Sequence, residues 1–208
     1  MDEIKKIVEL LPSEGINRIA ETLCDTFEKI VSPLTATTAG AGVFIQSKFE
    51  ALNAHQQGLA AKCLYEAKEK VGAKTPNKRT VVKPQVVYEA LDNTEQMTDE
   101  SMRSLWSNLL AREFLEGGVH PEIAKLLAKM TSQDALLLLH IANKEPRNRY
   151  ILVLKVLSSQ FSIPDFERER TFNHIHLKKL ELIVRTEQLW HLTTTGHEFM
   201  RCVRDFDQ

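Results

Sequence analysis

The amino-acid sequence predicts a mainly α-helical protein, with an N-terminal helical bundle followed by a winged-helix-like C-terminal module that carries a short β-hairpin. Three observations predict it. Apolar residues recur every three or four positions through most of the chain, which is the spacing of one helix face. Prolines and glycines punctuate these stripes, where they start or end helices. Near the C-terminus two short apolar runs flank a polar tetrapeptide and a last helical stripe follows, the pattern of a hairpin between helices.

The stripe Ile4, Ile7, Val8, Leu11 defines a helix over Asp2–Leu11 that Pro12 stops. Ser13 suits the cap of the next, which carries Ile16, Ile19, Ala20, Leu23, Phe27, Ile30 and Val31. Pro33 and Ala39-Gly40-Ala41-Gly42 read as a break. A long helix is expected from Val43 to about Val71, with Phe44, Phe49, Leu52, Leu59, Cys63 and Ala67 on its face. Residues 1–71 thus form the amphipathic N-terminal region. Residues 72–84 read as a linker, with Gly72, Pro76, Asn77 and Pro84 and the basic residues Lys74, Lys78, Arg79 and Lys83.

A central helical region is expected over 85–131. Pro84 suits the first turn of a helix that Asp92-Asn93 ends. Thr98 is the expected cap of the next helix, with Asp99 and Glu100 favourable in its first turn. That helix bears Met102, Leu105, Trp106, Leu109, Leu110 and Phe114 and stops at Gly117-Gly118. His120-Pro121-Glu122 opens a short helix with Ile123, Leu126, Leu127 and Met130.

The winged-helix-like region is placed over 132–208. Ser132 caps a helix to Asn143 whose Ala135–Leu139 run is apolar nearly all round, so Leu137 and Leu138 join Leu105, Trp106, Leu109 and Leu110 as predicted core. Tyr150–Phe161 is apolar and β-branched and fits helix or strand. A helix is expected over Thr171–Leu182. Ile183-Val184 then leads through the polar turn Arg185-Thr186-Glu187-Gln188 into Leu189–Thr193, and a last helix carries Phe199, Met200, Cys202 and Val203.

Composition narrows function. Of 208 residues 43% are hydrophobic, enough for a real core. The 27 basic and 28 acidic residues leave a formal net charge of −1, so no whole-molecule field draws the chain to nucleic acid or an anionic membrane. Cys24, Cys63 and Cys202 are scattered and form no CxxC pair, which points to buried thiols in a reducing, cytoplasmic setting. The acidic, amphipathic N-terminus does not resemble a secretory signal. The least charged stretch, Ile30–Gln46, is rich in Thr, Ala and Gly, which transfer poorly into hydrocarbon.

No catalytic set, cofactor site or metal site is predicted. GxSxG elbows and GxxxxGK[ST] or GxGxxG loops are missing from the sequence, and Ala39–Gly42 is neither preceded by a strand nor followed by Lys-Ser/Thr. His174, His176, His191 and His197 cluster late in the chain. His174 and His176 are two apart and point to different faces of a helix, and neither forms an HExxH-like i, i+4 pair with a carboxylate or cysteine.

A winged helix raises nucleic acid. Arg168, Arg170, His174, His176, Lys178 and Lys179 lie along the candidate recognition helix and its approach, with Arg185 at the hairpin tip. Glu167, Glu169, Glu181 and Glu187 interrupt them, and residues 132–208 hold 11 basic and 10 acidic residues. A duplex binder shows a stronger basic face. Lys178, Lys179 and Arg185 are therefore read as contacts for either a protein partner or nucleic acid.

Several blocks resemble the abortive-infection alpha (Abi-alpha) family. Ser104–Ala111 is similar to its LWxxLLA segment. His120–Leu127 with Met130–Ala135 resembles HPxxxxxLxxLsxxDA, with Met130 at the later Leu. Leu177–Ile183 resembles LxxLGLI with Glu181 in place of Gly, and Leu192–Phe199 resembles LTxxGxxF. The blocks occur in family order between Glu95 and Val203. Glu181 leads to the expectation that the helix before the hairpin runs on instead of turning tightly.

The resemblance implies a role in bacterial defence against phage and carries no catalytic motif. The expected mode is contact with a protein partner or a phage component, without enzyme chemistry. A nucleic-acid-binding regulator or antitoxin-like protein is the alternative. A membrane-disrupting effector working through Ile30–Gln46 is the third reading, and the composition of that stretch counts against membrane contact. Homo-oligomerisation is left open, since amphipathic faces are satisfied equally within one chain or between two.

Overall fold

The computed structural model describes residues 39–72, 82–144, 171–186 and 189–204. The expected helices over Asp2–Leu11 and Ser13–Val31, most of the linker, Tyr150–Phe161, Cys24, Arg168, Arg170 and the tip residues Glu187-Gln188 lie outside these residues. The described chain is mainly helical with one two-stranded antiparallel hairpin. It divides into a unit running to Lys129 and including Val203 onward, and a second unit, Met130–Cys202.

The first unit begins with α1 (Ala39–Glu50) and α2 (Ala54–Val71), which corrects the single long helix expected from Val43. Ala39–Gly42 lies within α1 rather than breaking the chain. Ile45 and Phe49, one turn apart and fully buried, anchor this glycine-rich start. The interruption comes at Asn53 instead. Its side chain accepts from the Gln56 N–H at 3.0 Å, and Gln56 Oε1 accepts from the Asn53 N–H at 3.2 Å. This reciprocal capping box starts α2, and buried Gln57 donates to the Phe49 carbonyl at the end of α1.

Pro84 occupies the first turn of α3 (Pro84–Asp92), which buries Val86, Val87, Ala90 and Leu91. A 3-10 turn, Thr94–Thr98, leads to α4 (Glu100–Glu116). The cap of α4 is Asp99, whose carboxylate accepts from the Met102 N–H at 3.0 Å. The Thr98 hydroxyl, expected to cap, donates back to the Glu95 carbonyl instead. Leu105, Trp106, Leu109 and Leu110 are buried. Gln96 accepts from Trp106 Nε1 at 3.1 Å and donates to the Ala128 carbonyl at 2.7 Å, so the indole is buried with its donor satisfied. Gly117, at φ 62°, terminates α4. In α5 (Pro121–Ala128) His120 Nδ1 accepts from the Glu122 N–H.

The second unit opens with α6 (Ser132–Lys144). Its cap is Thr131, one residue before the expected Ser132: the Asp134 N–H donates to the Thr131 hydroxyl, and Asp134 Oδ2 accepts from the Thr131 N–H. Leu137 and Leu138 are buried, while Leu136 is 49% exposed, so the Ala135–Leu139 run is not enclosed on every side. Helix α7 (Phe172–Lys179) packs on α6 and precedes β1 (Ile183–Thr186), which pairs with β2 (Leu189–Leu192) in the register Ile183↔Leu192 and Arg185↔Trp190. Arg185 and Thr186 thus belong to a strand, not to the turn. Helix α8 (Thr194–Val203) follows.

Helix α7 does not run on to Leu182. Glu181 sits at φ 59°, the Leu182 N–H reaches the Leu177 carbonyl at 3.0 Å, and the Glu181 N–H reaches the Lys178 carbonyl at 3.0 Å. These are the two hydrogen bonds of a Schellman termination, and the fully buried pair Leu177 and Leu182 supplies its apolar contact. The turn forms despite a side chain at the left-handed position.

Thr193 fastens this turn to the start of α8. Its N–H donates to the Leu182 carbonyl at 3.0 Å, its hydroxyl donates to the Glu181 carbonyl, and the same hydroxyl accepts from the Gly196 N–H at 2.9 Å. Gly196 is required by proximity, because a Cβ there would stand 2.0 Å from the Leu182 oxygen.

Candidate functional site

The functional reading centres on α7, because this helix presents apolar side chains outward. Inward, His174 and Leu177 are buried. Outward, Phe172 is 78% exposed and Ile175 53% exposed, and Lys178 and Lys179 are both exposed. Phe172, Ile175 and Lys179, spaced i, i+3, i+7, share one stripe with Lys178 beside it. Within the same unit Leu136 on α6 and Val184 on β1 are also exposed.

The inner side of α7 fixes the outer side. Asp134, with its side chain 2% exposed, accepts from the Thr131 N–H and lies 3.0 Å from His176 Nδ1. The His176 ring is stacked with Phe172, the centroids 6.2 Å apart at 19°. The buried carboxylate therefore orients an imidazole that supports an exposed aromatic ring. His174, two residues earlier, faces the opposite way: it bonds the Thr171 hydroxyl at 2.8 Å and packs against Trp190 at 5.0 Å. The two histidines go to different partners, as their spacing requires. The Asp134–His176 contact joins residues 42 apart on different helices, and no local sequence pattern announces it.

Of the residues expected to contact a partner, Lys178 and Lys179 are exposed in the last turn of α7. Arg185 is placed differently from its expected position at the hairpin tip. It lies opposite Trp190 in β1, half-buried, with its guanidinium 5.7 Å from the centre of that indole ring. Trp190 thereby covers one face of the guanidinium.

The first unit holds two buried polar arrangements. Lys70 Nζ donates to Ser107 Oγ at 2.6 Å and to the Ser104 carbonyl at 3.3 Å. An amine beside a serine hydroxyl is the geometry of an activated nucleophile, but Ser107 is fully buried and its hydroxyl donates to the Ser104 carbonyl. This is a polar seam between α2 and α4, continued by Arg103 on Glu66 at 2.9 Å.

Glu113 is also fully buried. Its carboxylate accepts from the Lys83 N–H at 2.6 Å and the Val119 N–H at 3.0 Å, while Lys83 Nζ donates to the Gly117 and Val119 carbonyls. Burial pushes its pKa above the ordinary carboxylate range, against the lowering effect of Lys83 and the two N–H donors. Glu113 thus ties the entry to α3 to the loop after α4. Cys63 and Cys202 are buried thiols, and burial pushes the Cys63 thiol far up. Among the described residues no three metal-ligating side chains converge, and no helix is long and apolar enough to cross a membrane.

The family model for abortive infection alpha matches residues 56–203. No curated protein and no solved structure matches the chain.

Proposed function

The chain belongs to the abortive infection alpha family, and from that premise we propose that it is a cytoplasmic phage-defence protein acting through contacts with another protein, a phage component or a cellular partner, rather than through catalysis. In this reading α7, the hairpin and α8 make a winged-helix-like module used for protein binding. The observation that carries it is the outward face of α7, where Phe172 and Ile175 stand in solvent. A helix that enters a DNA groove needs groups that hydrogen-bond base edges and phosphates. Exposed apolar side chains, one of them an aromatic ring held from beneath, suit the desolvated centre of a protein interface.

The test is a plaque assay over a phage panel at low and high multiplicity of infection, with the native chain and with a Phe172→Ala/Ile175→Ala variant. Protection at low multiplicity with collapse of the culture at high multiplicity is expected for the native chain, and loss of protection for the folded variant. Absence of protection against every phage would refute the defence role, and full protection by the variant would refute the contact face.

A second reading has its own observation. Exposed Lys178 and Lys179 precede a hairpin in the order of DNA-binding winged helices. A nucleic-acid-binding regulator would show salt-sensitive DNA binding that falls when Lys178, Lys179 and Arg185 are changed to Ala.

A further inference from the structure

The chemistry of the α7 face specifies its partner more narrowly. We propose that this face docks an acidic amphipathic helix of another protein, with Phe172 and Ile175 as apolar anchors and Lys178 and Lys179 as the charges that select it. The inference rests on the protein-contact reading above and adds the partner's chemical class.

Three features lead to it. First, α7, Phe-Asn-His-Ile-His-Leu-Lys-Lys, contains no carboxylate. Among the described residues the nearest acidic residue of the turn is Glu181, and a second carboxylate in contact with the helix, Asp134, is buried and engaged with Thr131 and His176. Among the described residues neither Lys178 nor Lys179 has a carboxylate within ion-pair distance. Lysines in a last turn suit the helix dipole, but the dipole gives no reason for Phe172 and Ile175 to be outside.

Second, apolar and basic groups divide one stripe between them. Phe172 and Ile175 occupy its N-terminal part, and Lys179, with Lys178 beside it, the C-terminal part. A helix laid against this stripe matches it with apolar residues at i, i+3 or i+4 and with Asp or Glu on the edge nearest the lysines.

Third, Phe172 is already positioned. The stack on His176, itself held by Asp134, limits the ring before any partner arrives. An anchor ordered in advance loses less entropy on binding.

The experiment uses the full chain and three fluorescent probes read by anisotropy: a synthetic amphipathic helical peptide with Glu on its polar face, the same peptide with every Glu replaced by Lys, and a DNA duplex. The glutamate peptide is expected to bind at least about tenfold more tightly than its lysine twin, as complementary charge at a rim selects partners. Phe172→Ala should weaken the glutamate peptide by about tenfold or more, and Lys178→Glu/Lys179→Glu should invert the preference between the twins. Both variants change exposed side chains, and an unaltered thermal melt confirms that each is folded.

Equal or reversed preference on the native chain, or no binding of the glutamate peptide, overturns the proposal. So does duplex binding that is lost with the lysines while the peptide is ignored. The plaque assay separates the two levels. If Phe172→Ala loses protection while the twins bind alike, the acidic class is wrong and the protein contact stands. If Phe172→Ala protects fully, both fall together.

Discussion

Replacing Glu181 by glycine should stabilise the protein. Glu181 stands at φ 59° as the left-handed residue of the Schellman turn that ends α7. A residue with a Cβ in that conformation costs roughly 1–2 kcal/mol relative to glycine. Glycine also widens the unfolded ensemble, which offsets about 0.4–1 kcal/mol of the gain. The net expectation is about 1 kcal/mol of added stability, or a rise in melting temperature of about 2–4 °C for a chain of this size. The side chain of Glu181 is exposed and its carbonyl, not its carboxylate, accepts from Thr193, so the change leaves the hydrogen bonds of the turn in place. Thermal unfolding followed by circular dichroism reads the effect, with Glu181→Ala as the control that removes the carboxylate and keeps the Cβ. Two results would refute the reasoning: a glycine variant no more stable than the native chain, or an alanine variant as stable as the glycine one. The second would show that the carboxylate, rather than the backbone, sets the cost.

The same turn makes the opposite prediction at Gly196, where alanine would place its Cβ against the Leu182 oxygen, itself held by the Thr193 N–H. Gly196→Ala should cost about 3 kcal/mol or more through backbone displacement and a lost hydrogen bond, and a melting temperature unchanged within error would contradict the close approach. Thr193→Ala, which removes a helix cap and the hydroxyl on the Glu181 carbonyl, should destabilise by about 1–2 kcal/mol in denaturant unfolding. Glu113→Gln turns an amide N–H toward one of two backbone N–H groups and should cost about 1–3 kcal/mol. Because burial raises the Glu113 pKa in the folded protein, the native state keeps a proton that the unfolded chain has released at the same pH. Its contribution is therefore fully present below the ordinary carboxylate pKa and declines as pH rises through the raised one. Unfolding curves across that window should show the decline in the native chain and not in the glutamine variant, and parallel curves would exclude the assignment.

Much of the helical architecture was legible in the sequence because its signals are local. Pro84, Gly117 and the His120-Pro121 pair mark helix ends where the structure has them, since each acts on its own backbone. The hairpin was legible for the same reason, although Arg185 and Thr186 joined the strand. What failed were competitions between signals. The glycines of Ala39–Gly42 were outweighed by the burial of Ile45 and Phe49, and the apolar rhythm through Leu52 hid the Asn53–Gln56 capping box. Glu181 argued against a tight turn, yet the burial of Leu177 and Leu182 and the grip of Thr193 on the turn carbonyls offset the strain of a non-glycine residue. The candidate site was less legible. Lys178 and Lys179 were evident as charges, but the exposure of Phe172 and Ile175 depends on which side of α7 faces α6, and the Asp134–His176 contact that sets the Phe172 ring spans two helices.

The family blocks sharpen this contrast. Many of the side chains that give them their pattern have a structural duty here. Trp106, Leu109 and Leu110 fill the first unit, His120 and Pro121 start α5, Asp134 bonds reciprocally with the cap residue Thr131 at the start of α6, Leu177 and Leu182 close the turn, and Thr193, Gly196 and Phe199 build the start and inner face of α8. A segment recognisable across a family for such reasons reports how the fold is made. The outward residues of α7 obey different rules. Phe172 and Ile175 lie before the block that begins at Leu177, and Lys178 and Lys179 occupy its unspecified positions. Among the described residues, changing them disturbs none of these caps, turns or core contacts, and touches the stack of Phe172 on His176. One scaffold can therefore present different outward faces, and recognition by this chain would be written in those four side chains rather than in the blocks that identify its family.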